Sequence, residues 1–219
     1  MWNGDRNVVI LRGVPGAGKS HLSKLLVSSF TGLRVDALPS GFRHLYCYAE
    51  PRSVHDVGTR HARSVRVVSA DHHFIKPDGS YAFDPAQLHI AHHRCWLSFL
   101  EVIQARKDEQ PRQEKRLIIV DNTNIGEAEI APYVLPANAL GWNVMIISVV
   151  TDRFETASAR QQHGVPEIRL AQMWTRFGAT QLPPWWTHFA ATSDGTAPDD
   201  PGIPGATPVP QPVSEWRFQ

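Results

Sequence analysis

The chain has 219 residues, of which 42% are hydrophobic and 20% are charged, and its formal net charge is +1 at pH 7. This length favours one domain with a single hydrophobic core. The near-neutral charge excludes a global attraction to nucleic acid or membrane, so a polyanion site must be a local patch. Two cysteines exclude a disulfide framework. Because no segment resembles a signal peptide or a membrane span, we expect a cytoplasmic protein without membrane contact.

The first predicted elements are a strand, a glycine-rich loop and a helix. Residues 7–12 (NVVILR) run into GVPGAGKS at 13–20, and 19–30 carry apolar residues at helical spacing. In this context the loop N–H groups and the helix N-terminus face phosphates. We expect Lys19 to reach the β- and γ-phosphates of ATP and Ser20 to ligate Mg²⁺. The predicted nucleotide-binding residues are Gly13, Pro15, Gly16, Ala17, Gly18, Lys19, Ser20 and His21.

The next stretch, residues 33–64, keeps no helical or strand period and is interpreted as an insertion. Its arginines alternate with aromatic residues, a pattern typical of a groove that binds a nucleic acid strand. A solvated loop of mixed charge explains the same composition. Arg43 and Arg52 are the predicted substrate contacts, in a set that comprises Arg34, Arg43, Arg52, Arg60 and Arg63.

Two short apolar runs, 65–70 and 116–121, are predicted as buried strands, and an aspartate marks the carboxyl end of each. Asp71 is positioned to accept a proton from a hydroxyl that attacks the γ-phosphate, with a helix or turn cap as the alternative. Asp121 is expected to hold the Mg²⁺ ion through its water shell. Asn122, Thr123 and Asn124 follow directly and are predicted to bind the acceptor or the metal waters.

The remaining elements alternate between helix and strand. We predict helices at 84–105, 127–140, 152–163 and 166–177, and a strand at 142–150. Pro136 is expected to kink or split its helix, and Asp152 to cap the next one. Arg160 is a candidate lid residue that meets charge on the transferred phosphoryl group, with a solvated helix arginine as the alternative.

Together these elements predict an α/β protein with the P-loop NTPase/kinase fold, a parallel β-sheet flanked by helices on both faces. The phosphate loop, Asp71 and Asp121 then share the carboxyl edge of the sheet, where ligands bind in such folds. The kinase domain is expected to span 1–190, with a Pro/Gly-rich flexible tail at 191–219. The paired Trp185 and Trp186 are expected to dock on the core.

Histidines supply a competing metal interpretation. His89 and His93 are spaced by one helical turn, and His72 and His73 follow the acidic residue of the second strand. No cysteine or carboxylate completes a ligand set at suitable spacing, so we predict no structural metal.

The ordered motifs resemble those of the polynucleotide-kinase-like P-loop kinases, which have an AAA-type ATP-binding domain. The resemblance rests on GVPGAGKS at 13–20, Ser69-Ala70-Asp71 with Phe74, Tyr81-x-Phe83-Asp84-Pro85, Ala91-His92, Val120 to Asn124, and His163 to Pro166. It implies transfer of the ATP γ-phosphate to a hydroxyl, in the founding members the 5′-OH of DNA or RNA. It also implies that Asp71 activates the acceptor, that Asn122 and Thr123 lie on the acceptor side, that Arg160 is the lid arginine and that His92 packs near the acceptor.

One segment departs from the family pattern. Phage-type nucleic-acid kinases have Arg-Asp-Asp-x-x-Arg where residues 70–74 are Ala-Asp-His-His-Phe, so two arginines are missing. We therefore expect a Mg²⁺- and ATP-dependent kinase for a hydroxyl of a nucleic acid end, a modified base or a nucleoside. The alternatives are a small-molecule or protein-targeting kinase, and a nucleotide-dependent binding module with slow hydrolysis.

Overall fold

The computed structural model describes residues 5–38, 44–48, 62–104, 114–151, 153–161 and 164–193. Its centre is a six-stranded sheet in the order β2-β3-β4-β1-β5-β6, in which five strands are parallel and β2 is an antiparallel edge. The strands are β1 Arg6–Arg12, β2 His44–Tyr48, β3 Ala62–Val68, β4 Lys115–Asp121, β5 Asn143–Val149 and β6 His188–Ala191. The helices are α1 Lys19–Thr31, α2 Leu88–Gln104, α3 Glu127–Ala139, α4 Phe154–Arg160 and α5 Glu167–Ala179.

Strand β1 is central because its apolar run is buried on both faces. Residues 8–11 are fully shielded from solvent. Val9 lies opposite Ile119 of β4 on one side and Met145 of β5 on the other. A continuous apolar run of this kind is typical of a parallel strand covered by helices on both faces.

Two apolar cores form on the two faces of the sheet. On one face Val9 and Leu11 pack in a cluster with Leu22 and Leu26 of α1. On the other face the alternate residues of β1 join Phe99 of α2 and other apolar residues of α2 and α3. The predicted fold class, a mainly parallel sheet with helices on both faces, is therefore correct.

Two strands depart from the sequence prediction. Strand β2 and the first residues of β3 lie within 33–64, where no strand was predicted, and β3 ends at Val68 before a 3-10 turn over 70–74. Strand β6, which was also not predicted, follows the two tryptophans and ends at the buried Ala191. Strands β2 and β6 are short edge strands, so neither carries a long hydrophobic period in the sequence.

Helix α3 is uninterrupted although it contains Pro132 and Pro136, so Pro136 does not split it. It ends at Ala139, and the predicted closing residue Gly141 follows in the left-handed region with a φ of 72°. The Trp142 N–H donates to the Ala137 carbonyl across this turn. The predicted capping residue of α4, Asp152, lies outside the described residues. In the described residues no helix is long and apolar enough to cross a bilayer.

The segment before β6 docks only in part. Leu182 is buried and Trp186 packs against the core of the α2 face, whereas Trp185 is 79% exposed. The predicted docking of both tryptophans therefore holds for Trp186 alone. The predicted tail lies outside the described residues from 194 onwards.

Candidate functional site

The phosphate loop connects β1 to α1. It contains glycines at positions where neighbouring atoms or the backbone conformation leave no room for a side chain. Gly16 has a φ of 80° and Gly18, the N-cap of α1, has a φ of 96°, both in the left-handed region. A Cβ on Gly16 would overlap the backbone carbonyl of Ala157 in α4. The loop therefore packs directly against α4, and a side chain at position 16 would push the two apart.

Lys19, the first residue of α1, folds back over this loop. Its Nζ donates to the carbonyls of Gly13 at 3.0 Å and Val14 at 2.9 Å. Burial lowers the pKa of Lys19, while the negative charges of Asp121 and Asp71 act to raise it. Lys19, Asp121 and Asp71 lie at or just beyond the carboxyl ends of β1, β4 and β3, which are neighbouring parallel strands. The three residues therefore belong to the same edge of the sheet.

The other predicted nucleotide-binding residues lie in the loop and on the first turn of α1. Pro15 and Ala17 are buried in the loop, and Ser20 and His21 are exposed on the first turn of α1. Asp121 ends β4 in register with Leu11, just before the loop. The donor set of Ser20 hydroxyl and Asp121 carboxylate fits Mg²⁺, which binds oxygen ligands and retains several waters.

The segment after β4 ties the loop to the sheet. The Gly13 N–H donates to the Thr123 carbonyl at 2.8 Å, and the Asn124 side chain donates to the Leu11 carbonyl at 2.7 Å. Asn124 is buried and has a φ of 46°, a left-handed conformation that asparagine tolerates. The structure thus gives Asn124 a bond inside the protein. Its predicted contact with substrate remains a prediction.

Asp71 lies in the 3-10 turn after β3 and is held by a neighbour that the sequence analysis did not assign to the site. The Tyr81 hydroxyl donates to Asp71 Oδ1 at 3.0 Å. Partial burial, followed by the charge and hydrogen bond of Asp71, raises the pKa of Tyr81, so this phenol is a donor at neutral pH. The turn itself is capped by Ser69, whose Oγ accepts from the Asp71 N–H at 3.2 Å. The N-cap of this turn is therefore Ser69.

The Pro77-Asp78-Gly79 turn explains how Tyr81 reaches Asp71. Ile75 and Tyr81 form an antiparallel bridge across it, and the Ala82 N–H donates to the Phe74 carbonyl at 2.9 Å. The turn signal was visible in the sequence, but the direction of the Tyr81 side chain was not.

The side chain of Asn122 bonds to the backbone of the turn that carries Asp71. It is buried, its Oδ1 accepts from the Ala70 N–H at 2.8 Å, and its Nδ2 lies 3.4 Å from both Tyr133 Oη and Cys95 Sγ. Burial raises the pKa of the Cys95 thiol and of the Tyr133 phenol, so both stay protonated at neutral pH. Asn122, predicted as a substrate contact, thus positions the backbone next to Asp71.

For the remaining predicted residues that lie in the described ranges, the structure gives a position in the fold but no contact with Lys19, Asp71 or Asp121 among the described bonds. Thr123 is half-buried beside the loop, His92 is exposed on α2, and Arg160 is exposed at the end of α4, one turn beyond the Gly16 contact at Ala157. Arg43 and Arg52 lie outside the described residues. Two other arginines of the 33–64 stretch make contacts within the protein: Arg34 bonds to Asp36, and Arg63 bonds to the Phe30 carbonyl.

The histidines form no described metal centre. Within the ranges that the structure describes, no three His, Cys, Asp or Glu side chains are grouped to hold an ion. The ring nitrogens of His73 contact Gln87 Oε1 and Arg94 Nη1, each at 3.0 Å.

A buried arginine directly before the loop was also missed by sequence analysis. The Arg12 guanidinium donates to the carbonyls of Ile125 and Phe177 and to Ser148 Oγ, at 2.9 to 3.1 Å. Burial lowers its pKa to about 10, an effect that Glu129 partly opposes, so Arg12 stays charged at neutral pH. Arg12 thereby links the end of β1 to α5 and to the segment after β4.

The chain matches the family described as the AAA domain over residues 8–179. Among solved structures it is similar to Kti12 of Chaetomium thermophilum in complex with ADP-AlF3, at 11% identity and a TM-score of 0.48, over 86% of this chain and 90% of that one. It is also similar to a mutant of the APS kinase CysC of Mycobacterium tuberculosis, at 12% identity and a TM-score of 0.37, over 78% of this chain and 96% of that one. The family match extends from β1 through α5 and includes the phosphate loop. The chain therefore belongs to the AAA domain family of P-loop proteins.

Proposed function

We propose that this protein is an ATP-dependent kinase that transfers the γ-phosphate to a hydroxyl of a nucleic acid, at a 5′-OH end or a modified base, or of a nucleoside. The observation that carries the proposal is the placement of Lys19, Asp71 and Asp121 at one carboxyl edge, at or just beyond the ends of three neighbouring parallel strands. Nucleotide binding alone requires the loop and a metal-binding carboxylate. A second carboxylate at the same edge, after a separate strand, is what phosphoryl transfer to an alcohol needs.

The nucleotide side of the proposed reaction belongs to the loop. Its N–H groups and the Lys19 ammonium hold the phosphates, while Ser20 and Asp121 would hold the metal through oxygen ligands. Bound ATP would supply the phosphoryl group, and Mg²⁺ would offset its charge. Arg160, one helical turn from the loop contact, is the residue proposed to meet charge on the transferred group.

The acceptor side belongs to Asp71. Its carboxylate takes the proton of the acceptor hydroxyl as the hydroxyl oxygen forms a bond to the γ-phosphorus and the bond from that phosphorus to the β,γ-bridging oxygen breaks. Tyr81 fixes the orientation of the carboxylate through Oδ1, and Asn122 holds the adjoining backbone. Thr123 and His92, and Arg43 and Arg52 outside the described residues, remain the predicted acceptor contacts. The motif resemblance to the polynucleotide-kinase-like kinases supports a nucleic acid or nucleoside as the acceptor.

The test is a transfer assay with ATP radiolabelled in the γ-phosphate against 5′-OH oligonucleotides, nucleosides, sugars and proteins. We expect label in an oligonucleotide or nucleoside, and Asp71→Asn should lower kcat by about 10²–10⁴-fold because positioned proton transfer is lost. Asp78→Asn is the matched control, since that carboxylate bonds only to Ser80 among the described contacts of the neighbouring turn.

Each other outcome selects an alternative. Label found only in sugars or proteins would assign a small-molecule or protein-targeting kinase. Phosphate release without transfer, unchanged in Asp71→Asn, would contradict the kinase proposal and indicate a nucleotide-dependent binding module.

A further inference from the structure

A cavity of about 340 Å³ lies between β3 and α2, next to the proposed base. It shares Ser69, His72 and His73 with the turn that carries Asp71. Arg66 enters it from β3 and Arg94 from α2. None of these four basic side chains was assigned to the site from the sequence. We call it the Arg66–Arg94 cavity.

The charged side chains that line this cavity in the described residues are all basic. The described residues that line it include two arginines and two histidines but no aspartate or glutamate. Guanidinium groups stay protonated at any physiological pH. The cavity therefore presents at least two positive charges beside the proposed base, and its described walls hold no carboxylate to neutralise them.

Hydrogen bonds hold one of these arginines in place. Arg94 Nη1 lies 3.0 Å from His73 Nδ1, and a guanidinium has no acceptor, so Nδ1 must accept. The opposite nitrogen, Nε2, then carries the proton and donates to Gln87 Oε1 at 3.0 Å. Arg66 makes a longer contact, 3.5 Å from Nη2 to Ser98 Oγ, at the limit of a hydrogen bond. The Arg94 guanidinium is thus oriented before any ligand binds. Arg66 would give up only its long contact with Ser98 on binding a stronger acceptor.

We propose that the Arg66–Arg94 cavity binds an anionic group of the phosphate or sulfate class that the acceptor carries in addition to its reacting hydroxyl. β3 and α2 each supply one arginine to the cavity, and an arginine fork binds such oxyanions through paired hydrogen bonds. The inference rests on the proposed function, because it takes Asp71 as the base that receives the hydroxyl. It narrows the acceptor to an anionic molecule and makes neutral nucleosides and sugars poor substrates.

The first test measures binding without catalysis. The protein, with its loop filled by Mg²⁺ and a non-hydrolysable ATP analogue, is titrated with inorganic phosphate and, separately, with sulfate while backbone amide NMR signals are followed. We expect signals of residues 66–73 and 91–98 to shift, and Arg94→Gln to weaken binding by about 10-fold or more. Arg169→Gln, an exposed arginine that contacts Gln172 on α5, is the control and should leave binding unchanged.

Arg94 is exposed, so its substitution should leave the fold intact. Arg66 is half-buried, and Arg66→Lys keeps its charge and its stem while removing the fork. No shift at the cavity residues, or equal affinity in Arg94→Gln and the unmodified protein, would overturn the inference.

The second test compares transfer to a nucleoside, its monophosphate and a dinucleoside phosphate, which separates a terminal phosphate from a phosphodiester as the source of the anion. We expect a preference of about 10-fold in kcat/KM for an anionic member, mainly through KM, that Arg94→Gln removes. Equal transfer to neutral acceptors without anion binding would refute the inference and leave the kinase standing. Anion binding with no transfer to any acceptor would refute the kinase, and with it the cavity as an acceptor site.

Discussion

The two sides of the site are built differently. The loop wall, residues 13–20, is defined mainly by its backbone. The Gly13 N–H donates to the Thr123 carbonyl, Gly16 packs closely against the Ala157 carbonyl, and Lys19 donates to two loop carbonyls. The proposed acceptor wall, residues 66–81, is held largely by side chains: Tyr81 on Asp71, Asn122 on Ala70, and Arg94 on His73. A backbone-built wall suits a ligand part that never changes, the phosphates, whereas a wall built from side chains can change its ligand through substitution.

Among the substitutions that compare the two walls, the largest effect is expected at the loop wall, where Gly16→Ala should weaken nucleotide binding by about 100-fold. The added Cβ meets the Ala157 carbonyl, and the residue must also keep a left-handed φ, so the loop moves and its N–H groups lose the phosphates. The measurement is the dissociation constant of a fluorescent ATP analogue.

Gly79→Ala is the matched control, because Gly79 has a φ of 83° and nothing within 4 Å of an added Cβ. It shares the backbone strain without the clash. Equal losses of affinity in both variants would show that the contact between the loop and α4 has no part in nucleotide binding.

An intermediate effect is expected at the support of the acceptor wall. Asn122→Ala leaves the buried Ala70 N–H without its acceptor, so the free energy of unfolding should fall by about 2 kcal/mol and the Tm by roughly 4–8 °C. Transfer should fall while nucleotide affinity stays within about 2-fold, since the loop wall does not use this side chain. Thermal unfolding and nucleotide titration check the two parts, and a parallel loss of nucleotide affinity would mean that the walls are not independent.

The smallest effect is expected for Tyr81→Phe, which removes the hydrogen bond to Asp71 Oδ1 and keeps the ring that packs on Phe74. Because Tyr81 is 37% exposed, water replaces part of the lost bond, and kcat should fall by about 5-fold. Ser80→Ala in the same turn is the control for transfer kinetics. A Tyr81→Phe variant with full activity would remove Tyr81 from the positioning of Asp71.

The contrast between the walls also explains what the sequence could predict. The loop wall is one continuous motif between an apolar strand and a helix, so Gly13 to Ser20 and the fold class followed directly from local pattern. The position of Asp71 and Asp121 at the sheet edge could be predicted because parallel strands bring their carboxyl ends to one edge. These predictions depend on residues that are adjacent in sequence or on a topological rule.

The missed features depend on distant partners. Asn122 meets Ala70 across 52 positions, and Arg12 meets Phe177 across 165. Arg66 and Arg94 belong to separate elements, and nothing in either segment alone indicates a shared cavity. The edge strands β2 and β6, at five and four residues, are too short for a readable period.

The most direct test of the central claim, that Asp71 faces the terminal phosphate held over Lys19, is a crystal structure with Mg²⁺ and a non-hydrolysable ATP analogue. An alcohol oxygen must lie roughly 3 Å from both the base and the phosphorus, so an Asp71 oxygen is expected within about 6 Å of the γ-phosphorus. The space between them should be open to an acceptor and continuous with the Arg66–Arg94 cavity. An Asp71 side chain turned away from the γ-phosphate, or separated from it by ordered protein, would contradict the account.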